Sequence, residues 1–366
     1  MASIYSAMST LKGLILAGGT GSRLRPITHT SAKQLVPIAN RPILFYALDS
    51  LVDAGVKDVG IIVGDTRAEV MAAIGDGSSF GLKVTYIPQD QPLGLAHCVK
   101  IAREFLGDDP FVMYLGDNLI KDGIVEFADS FRNRDSDTVA EILLARVADP
   151  HRFGVAVLDE NGHVVDLVEK PKVPPSDLAL VGVYFFDKTI HEAVDAIKPS
   201  ARGELEITDA IAYLITNGKK VSSRETLGYW KDLGQPEALL EGNRLMLENI
   251  VTTIRGSVDA ESIIEGRVVI EEGAAVVNSK LRGPLVVGSN ARVIDSYIGP
   301  FTAVGANCSV ISTEVSNSIL LEGSLIEGID RVEGSIVGKN AQLKRRQSLP
   351  KSTRVVVGDN STVEIY

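Results

Sequence analysis

Leu14-Ile-Leu-Ala-Gly-Gly-Thr-Gly-Ser-Arg-Leu-Arg-Pro26 is a short aliphatic run that ends in three glycines within four residues, with two arginines close behind. Glycine lets backbone N–H groups turn inward in conformations that other residues resist, and such a run can cradle an anion. Arg23 and Arg25 add fixed-fork charge suited to phosphate oxygens. A buried strand, a glycine loop and then arginines predict a nucleotide-phosphate site. The loop is not a P-loop, because no Gly-Lys-Ser/Thr follows, and Leu24 occupies the third glycine position of a dinucleotide fingerprint. An ordinary βα turn is the plain alternative, and Arg23, Lys33 and Gln34 argue against it.

Outward from this stretch, apolar runs alternate with helical periodicity. Strands are expected at 11–17, 59–63, 82–87 and 111–115. Helices are expected from about Pro42, with Asn40 as the cap, and at 67–74 and 95–105. This alternation predicts a parallel α/β sheet whose ligands bind at the C-terminal strand ends, where the glycine loop and Asp117 both fall. From Thr138 the pattern changes to successive strands, at 139–147, 155–158, 164–168 and 181–186, which suggest a β-rich lobe over the open side of the cleft. Helices at 189–197 and 207–216, a strand at 220–226 and a helix from Pro236 to about Glu248 follow.

Beyond Thr252 the helix signals vanish and a six-residue beat appears. It runs through Val287-Gly-Ser-Asn-Ala-Arg, Val293-Ile-Asp-Ser-Tyr and Val304-Gly-Ala-Asn-Cys-Ser, and recurs at Val337-Gly-Lys-Asn-Ala-Gln and Val357-Gly-Asp-Asn-Ser-Thr. Hexapeptide periodicity predicts a parallel β-helix, with three hexads to a coil and roughly six coils. The basic stretch 343–351 interrupts the beat and reads as a protruding loop.

Composition bounds the function. A chain of 366 residues favours two domains. The net charge of -10 argues against a nucleic-acid binder, although local arginines can still meet phosphorylated substrates. The two cysteines, Cys98 and Cys308, have no metal-ligand spacing and fit a reducing compartment. No apolar run approaches the roughly 20 residues that span a bilayer. Residues 1–10 lack the features of a secretory signal and read as a disordered leader. The expectation is a soluble, cytoplasmic protein that binds neither membrane nor nucleic acid.

Two aspartates, Asp117 at a strand end and Asp232 in Trp230-Lys-Asp-Leu-Gly234, are separate carboxylates that a fold could bring together around Mg²⁺. Either alone would more often be a turn or cap residue. Glu169-Lys170-Pro171 would ordinarily be a solvated turn, but here Lys170 could reach a second phosphate.

These motifs, together with Lys33-Gln-Leu-Val-Pro37, Gly94-Leu-Ala96, Leu115-Gly-Asp-Asn118, Phe153-Gly-Val155 and Arg202-Gly-Glu-Leu-Glu-Ile-Thr-Asp209, resemble the sugar-1-phosphate nucleotidyltransferases over about residues 11–248. The β-helical tail resembles that of the long-form glucose-1-phosphate thymidylyltransferases. The resemblance implies a Rossmann-like nucleotidyltransferase domain with a mixed sheet over residues 11–250 and a left-handed parallel β-helix over 251–366. It implies dTTP and glucose 1-phosphate as substrates and Mg²⁺ as the metal. Leu16, Gly18, Gly19, Gln34, Gln89 and Gly94 would then meet the nucleotide, with Gln89 and Gly94 at the pyrimidine edge. Arg23 and Lys33 would neutralise the triphosphate, and Asp117 and Asp232 would hold the metal. Gly154, Glu169 and Tyr184 would line the sugar pocket, while Lys170 and Arg202 would bind the sugar phosphate.

There are departures from the family pattern. Ser22 replaces a familiar threonine, and Phe153 stands where a tyrosine often precedes the sugar-pocket glycine. Trp-Leu-Asp-Thr-Gly appears as Trp230-Lys-Asp-Leu-Gly234. Relatives whose β-helix is an acyltransferase use a histidine there, and all five histidines of this chain lie at or before His191. An assembly or regulatory role for the tail, within a homo-oligomer, is therefore expected. The rivals are a UTP-dependent uridylyltransferase, because uracil lacks only the thymine methyl, and a silent regulatory subunit that binds sugar nucleotides. The retained Arg23, Lys33, Asp117, Lys170 and Asp232 argue against the silent subunit.

Overall fold

The computed structural model describes residues 11–345 apart from Thr20, Thr30, Asn161 and Leu227. The chain divides between Ile250 and Val251 into two compact units.

The first unit is built on a nine-stranded mixed sheet. Lys12–Leu16 lies at its centre, parallel to Asp58–Val63 on one side and to Phe111–Leu115 on the other, and Lys83–Pro88 extends the parallel half. Alternate residues of the first strand serve two cores. Leu14 and Leu16 pack with the helices Leu95–Ile101 and Ile207–Thr216, whereas Ile15 packs with Leu44, Leu48 and Leu51 of the helix Ile43–Asp53. Such two-sided burial is why the strand reads as a continuous apolar run. All four parallel strands point the same way, so the loops after Leu16, Pro88 and Leu115 open on one edge.

The expected β-rich lobe is not separate. Leu178–Phe186 pairs antiparallel with Phe111–Leu115 and also with Thr138–Arg146, and Gly154–Leu158 and Val164–Glu169 continue the same sheet. Every residue of Leu178–Phe186 is buried, so this strand is covered on both faces like its parallel neighbours. Lys220–Glu225 adds in parallel to Thr138–Arg146. Other local readings also change. Asn40 is not a helix cap but sits at φ 61 in the tight turn between Pro37–Ile38 and Arg41–Pro42. The expected 95–105 helix is two, Leu95–Ile101 and Arg103–Leu106, and a helix unread in the sequence spans Val125–Arg132.

The second unit is the left-handed hexapeptide-type β-helix. Among the described residues it has three parallel sheets of six, six and five strands. Its core is three stacked aliphatic columns, among them Val276, Val293 and Val310, and Leu281, Ile298 and Val315. The repeat is shorter than three hexads. Ser262, Ser279, Ser296 and Thr313 stack at intervals of 17, each backbone N–H donating to the hydroxyl one coil earlier at 3.0–3.2 Å. The missing residue is taken out at one corner, where Asn278, Asp295 and Ser312 turn the chain at φ 42°, 50° and 48°. Short polar side chains tolerate this left-handed region because they hydrogen-bond locally. Gln342–Lys344 pairs with Leu325–Glu327 as a further strand, not a loop. The rest of the expected loop, the hexad from Val357 and the leader 1–10 lie outside the described residues. No helix among the described residues is long and apolar enough to cross a membrane.

Ile298 is fully buried in the middle of its column. Ile298→Ala should cost about 2–5 kcal/mol through lost contacts and a residual cavity. Urea denaturation of the full chain should show this in the transition of the β-helix, leaving that of the first unit in place.

Candidate active site

The parallel strands deliver their loops to a cavity of about 240 Å³ lined by Leu16, Gly18, Gly19, Lys33, Gln34, Gln89, Gly94 and Asp117 among others. All six residues expected at the nucleotide therefore line one cavity. Gln34 is buried, and its Oε1 has no hydrogen-bond partner among the described residues. A buried acceptor left unpaired is costly unless a ligand supplies the donor. Gln89 directs its amide nitrogen at His97 Nδ1 (3.1 Å) and Cys98 Sγ (3.2 Å). Gly94 is required twice over: its φ is 101°, and a Cβ there would lie 2.4 Å from the Leu205 carbonyl oxygen. That close approach ties the helix start to the 200–206 segment, through Ala96 N–H to Leu205 O (3.0 Å) and Leu205 N–H to Leu93 O (2.8 Å). Glu204 of that segment lines the same cavity.

Asp117 and Asp232 meet through a two-stranded ribbon. Trp230–Asp232 pairs antiparallel with Asn118–Ile120, placing Asp232 opposite Asn118. Leu233 N–H donates to Asp117 O at 3.0 Å, and Trp230 Nε1 donates to Asn118 Oδ1 at 2.6 Å. Lys33, itself buried, forms an ion pair with Asp117, and Arg23 lies 3.6 Å from Asp232. Gly234 closes the group, since a Cβ there would be 2.7 Å from Arg23, 2.8 Å from Asp232 and 3.1 Å from Lys33. The two carboxyls respond in opposite directions. Burial pushes Asp117 up, but the charge and hydrogen bond of Lys33 outweigh it and hold the group below the ordinary range. Burial and then the Asp117 charge push Asp232 above its ordinary value, against Lys33 and Arg23. A site that raises one of two adjacent carboxyls is short of positive charge. It fits a divalent cation held by two carboxylates, with phosphate oxygens and water completing the shell. Among the described residues no third carboxylate, histidine or cysteine joins them.

The residues expected at the sugar phosphate form a second group. Gly154 pairs across the sheet with Glu169, and a Cβ on it would lie 2.7 Å from Thr208 and 3.2 Å from Glu169. Glu169 accepts from Thr208 Oγ1 (3.3 Å) and Arg202 (3.2 Å), and Lys170 lies 3.3 Å from it. Lys170 takes φ 43° as it leaves the strand, with its N–H bonded to Phe153 O at 3.0 Å. Arg202 is held by Glu206 at 2.8 Å, with Glu204 at 3.5 Å. Burial works against the Arg202 charge, but these carboxylates keep it above its ordinary value. Tyr184 is buried, and burial, followed by the Glu169 charge, pushes its hydroxyl up. The ring of Phe153 stands edge-on to Trp230 at 5.4 Å. Sequence reasoning gave no role to His97, Cys98, Asn118, Glu206 or Thr208. Each sits inside or beside a recognised motif, and that adjacency was the available signal.

A strand-end glycine loop, a carboxylate pair flanked by cations and a second cationic group are an arrangement chemically suited to anionic ligands. The chain belongs to the nucleotidyl transferase family, whose model matches residues 12–249. It is similar to the glucose-1-phosphate thymidylyltransferase of Streptomyces antibioticus, with 55% identity over 97% of this chain and 99% of that protein. Among solved structures it is similar to a Bacillus anthracis chain crystallised with sucrose and described as a glucose-1-phosphate thymidylyltransferase. That match has 38% identity and a TM-score of 0.60, and it covers 64% of this chain and 95% of the other. A UDP-glucose pyrophosphorylase bound to UDP-glucose matches at 25% identity and a TM-score of 0.59, covering 65% of this chain and 99% of that one.

Burial pushes the thiol of Cys98, in the cavity wall, up to about 12, and burial raises that of Cys308 as well. Both cysteines are free and buried. Titration with a disulfide reagent at pH 8 should find no reactive thiol in the native protein and both after unfolding in guanidinium. Fast reaction of a native thiol would contradict the closed wall.

Proposed function

We propose that this chain transfers a thymidylyl group from dTTP to glucose 1-phosphate, giving dTDP-glucose and pyrophosphate. The observation that carries this reading is the Asp117–Asp232 pair flanked by Lys33 and Arg23, beside the cavity that Lys33 and Asp117 line. A second cationic group, Lys170 and Arg202, is connected to that cavity through Glu204. In the reaction a phosphate oxygen of glucose 1-phosphate bonds to the α-phosphorus of dTTP, and the bond from that phosphorus to the bridging oxygen breaks. The nucleophile is already an anion, so no general base is required. The protein must hold two repelling anions in line and offset the charge that grows on the leaving pyrophosphate.

Lys33 and Arg23 would take the triphosphate oxygens, with the backbone of Gly18 and Gly19 against the nucleotide. Lys170 and Arg202 would hold the attacking phosphate, and Gly154, Glu169 and Tyr184 would shape the sugar pocket, with Glu169 accepting from sugar hydroxyls. Leu16 would pack against the nucleoside, while Gln34, Gln89 and Gly94 would meet the base. Mg²⁺ held by Asp117 and Asp232 would supply charge neutralisation at the triphosphate and a template for its geometry. The β-helix, which contains no histidine among its described residues, fits an assembly or regulatory element of a homo-oligomer better than an acyltransferase.

Two measurements test this reading. Pyrophosphate release should be strong with dTTP and glucose 1-phosphate in a panel crossing dTTP, UTP, dCTP and ATP with several sugar 1-phosphates. Silence across the panel would favour a binding-only protein, and a clear UTP preference would favour a uridylyltransferase. Asp117→Asn should lower kcat by roughly 10²-fold or more, as loss of one preorganised electrostatic group does, while the circular dichroism spectrum stays native. Near-native turnover at saturating Mg²⁺ would remove Asp117 from the metal site.

A further inference from the structure

A primary amide is two-faced: its NH₂ donates and its oxygen accepts, and a base pocket built on glutamine reads differently according to which end points inward. Gln89 is anchored by its backbone N–H to Val63 O at 2.8 Å. Its side-chain nitrogen lies 3.1 Å from His97 Nδ1 and 3.2 Å from Cys98 Sγ, both on the helix Leu95–Ile101. Its oxygen lies on the opposite side, where a Cβ on Gly18 would be 3.4 Å away, within the cavity that Leu16, Gln34 and Gly94 also line.

The direction of these bonds follows from where the thiol proton goes. Cys98 Sγ lies 3.6 Å from the carbonyl oxygen of Gly94, which can only accept, so the thiol hydrogen is directed there. The sulfur is left with lone pairs toward Gln89 and must accept. Burial, and then the charge of Lys100, hold His97 below its ordinary pKa, which favours the neutral ring, and in its Nε2-protonated tautomer Nδ1 accepts from the amide. Turned over, the amide would set its oxygen against the sulfur lone pairs and lose that bond, and His97 would have to carry its proton on Nδ1 instead.

We propose that His97 and Cys98 are positioning residues for nucleobase choice: by taking both amide hydrogens of Gln89 they hold its Oε1 toward the base site. The pocket then accepts a base that presents an N–H there and rejects one that presents a lone pair. Thymine and uracil present N3–H, whereas cytosine presents the unprotonated N3. The inference rests on the reading of this cavity as the base site, and it adds a reason for pyrimidine selection that lies behind the residue touching the base.

The test is the ratio of kcat/KM for dTTP over dCTP, with glucose 1-phosphate as acceptor. In His97→Leu/Cys98→Ala the amide is free to turn, and the ratio should fall by roughly tenfold or more relative to the unsubstituted protein. The single variants His97→Leu and Cys98→Ala should each lower it by less, and they carry the test if the double variant does not fold. Cys98→Ser, which keeps a donor for Gly94 O and an acceptor for Gln89, should restore the ratio. A parallel loss for both nucleotides, with the ratio unchanged in the folded variants, would overturn the proposal. If the unsubstituted protein turns over no triphosphate, the functional reading fails separately. Calorimetric binding of dTTP and dCTP then reads the same ratio, and an unchanged binding ratio in the variants overturns the positioning role.

Discussion

Asp117 and Asp232 bring like charges into one largely buried site, and much of the first unit is arranged around that cost. Each carboxylate has its own cation, Lys33 for Asp117 and Arg23 for Asp232. The ribbon of Asn118–Ile120 and Trp230–Asp232 fixes the two chains relative to each other, with the Trp230–Asn118 bond as a cross-brace. Gly234 leaves the room that Arg23, Asp232 and Lys33 need. Burial and then the Asp117 charge push Asp232 above its ordinary value, so the crowding falls on one of the two carboxyls.

The group around Glu169 and Arg202 shows the same economy of charge. Arg202 and Lys170 are paired with Glu206 and Glu169. In the proposed reaction an incoming phosphate would exchange one anion for another around cations that are already oriented. Such preorganisation reserves the electrostatic gain for the moment when charge grows on the transferring group.

The glycine loop, the four parallel strands and the hexapeptide beat were legible because each follows from short-range pattern: two-sided burial, left-handed backbone or inward aliphatic columns. What was illegible depended on pairing across distance. Residues 139–186 look like a separate lobe because successive strands carry no record of which edge they join, and only the full burial of Leu178–Phe186 hints at a central place. Asn40 suits a helix cap and a left-handed turn equally well, and the adjacent Pro37–Ile38 and Arg41–Pro42 pairing decides. Asp117 and Asp232 could be named as candidates from the motifs they sit in, but their meeting depends on a three-residue ribbon too short to read. His97 carries no local signal, because its contact is the Gln89 amide eight positions earlier.

The 17-residue coil has a consequence for how this half of the chain can change in length. Ser279, Ser296 and Thr313 each donate a backbone N–H to the hydroxyl one coil earlier, and each coil touches only its neighbours. Insertions and deletions of one whole coil therefore leave every sheet in register, whereas a change of a single residue keeps the columns aligned only where a corner absorbs it, as between Val304 and Leu320, 16 residues apart. Evolution can lengthen or shorten such a prism in quanta. The mixed sheet of the first unit, with its crossovers and its site shared among distant loops, offers no comparable unit of exchange.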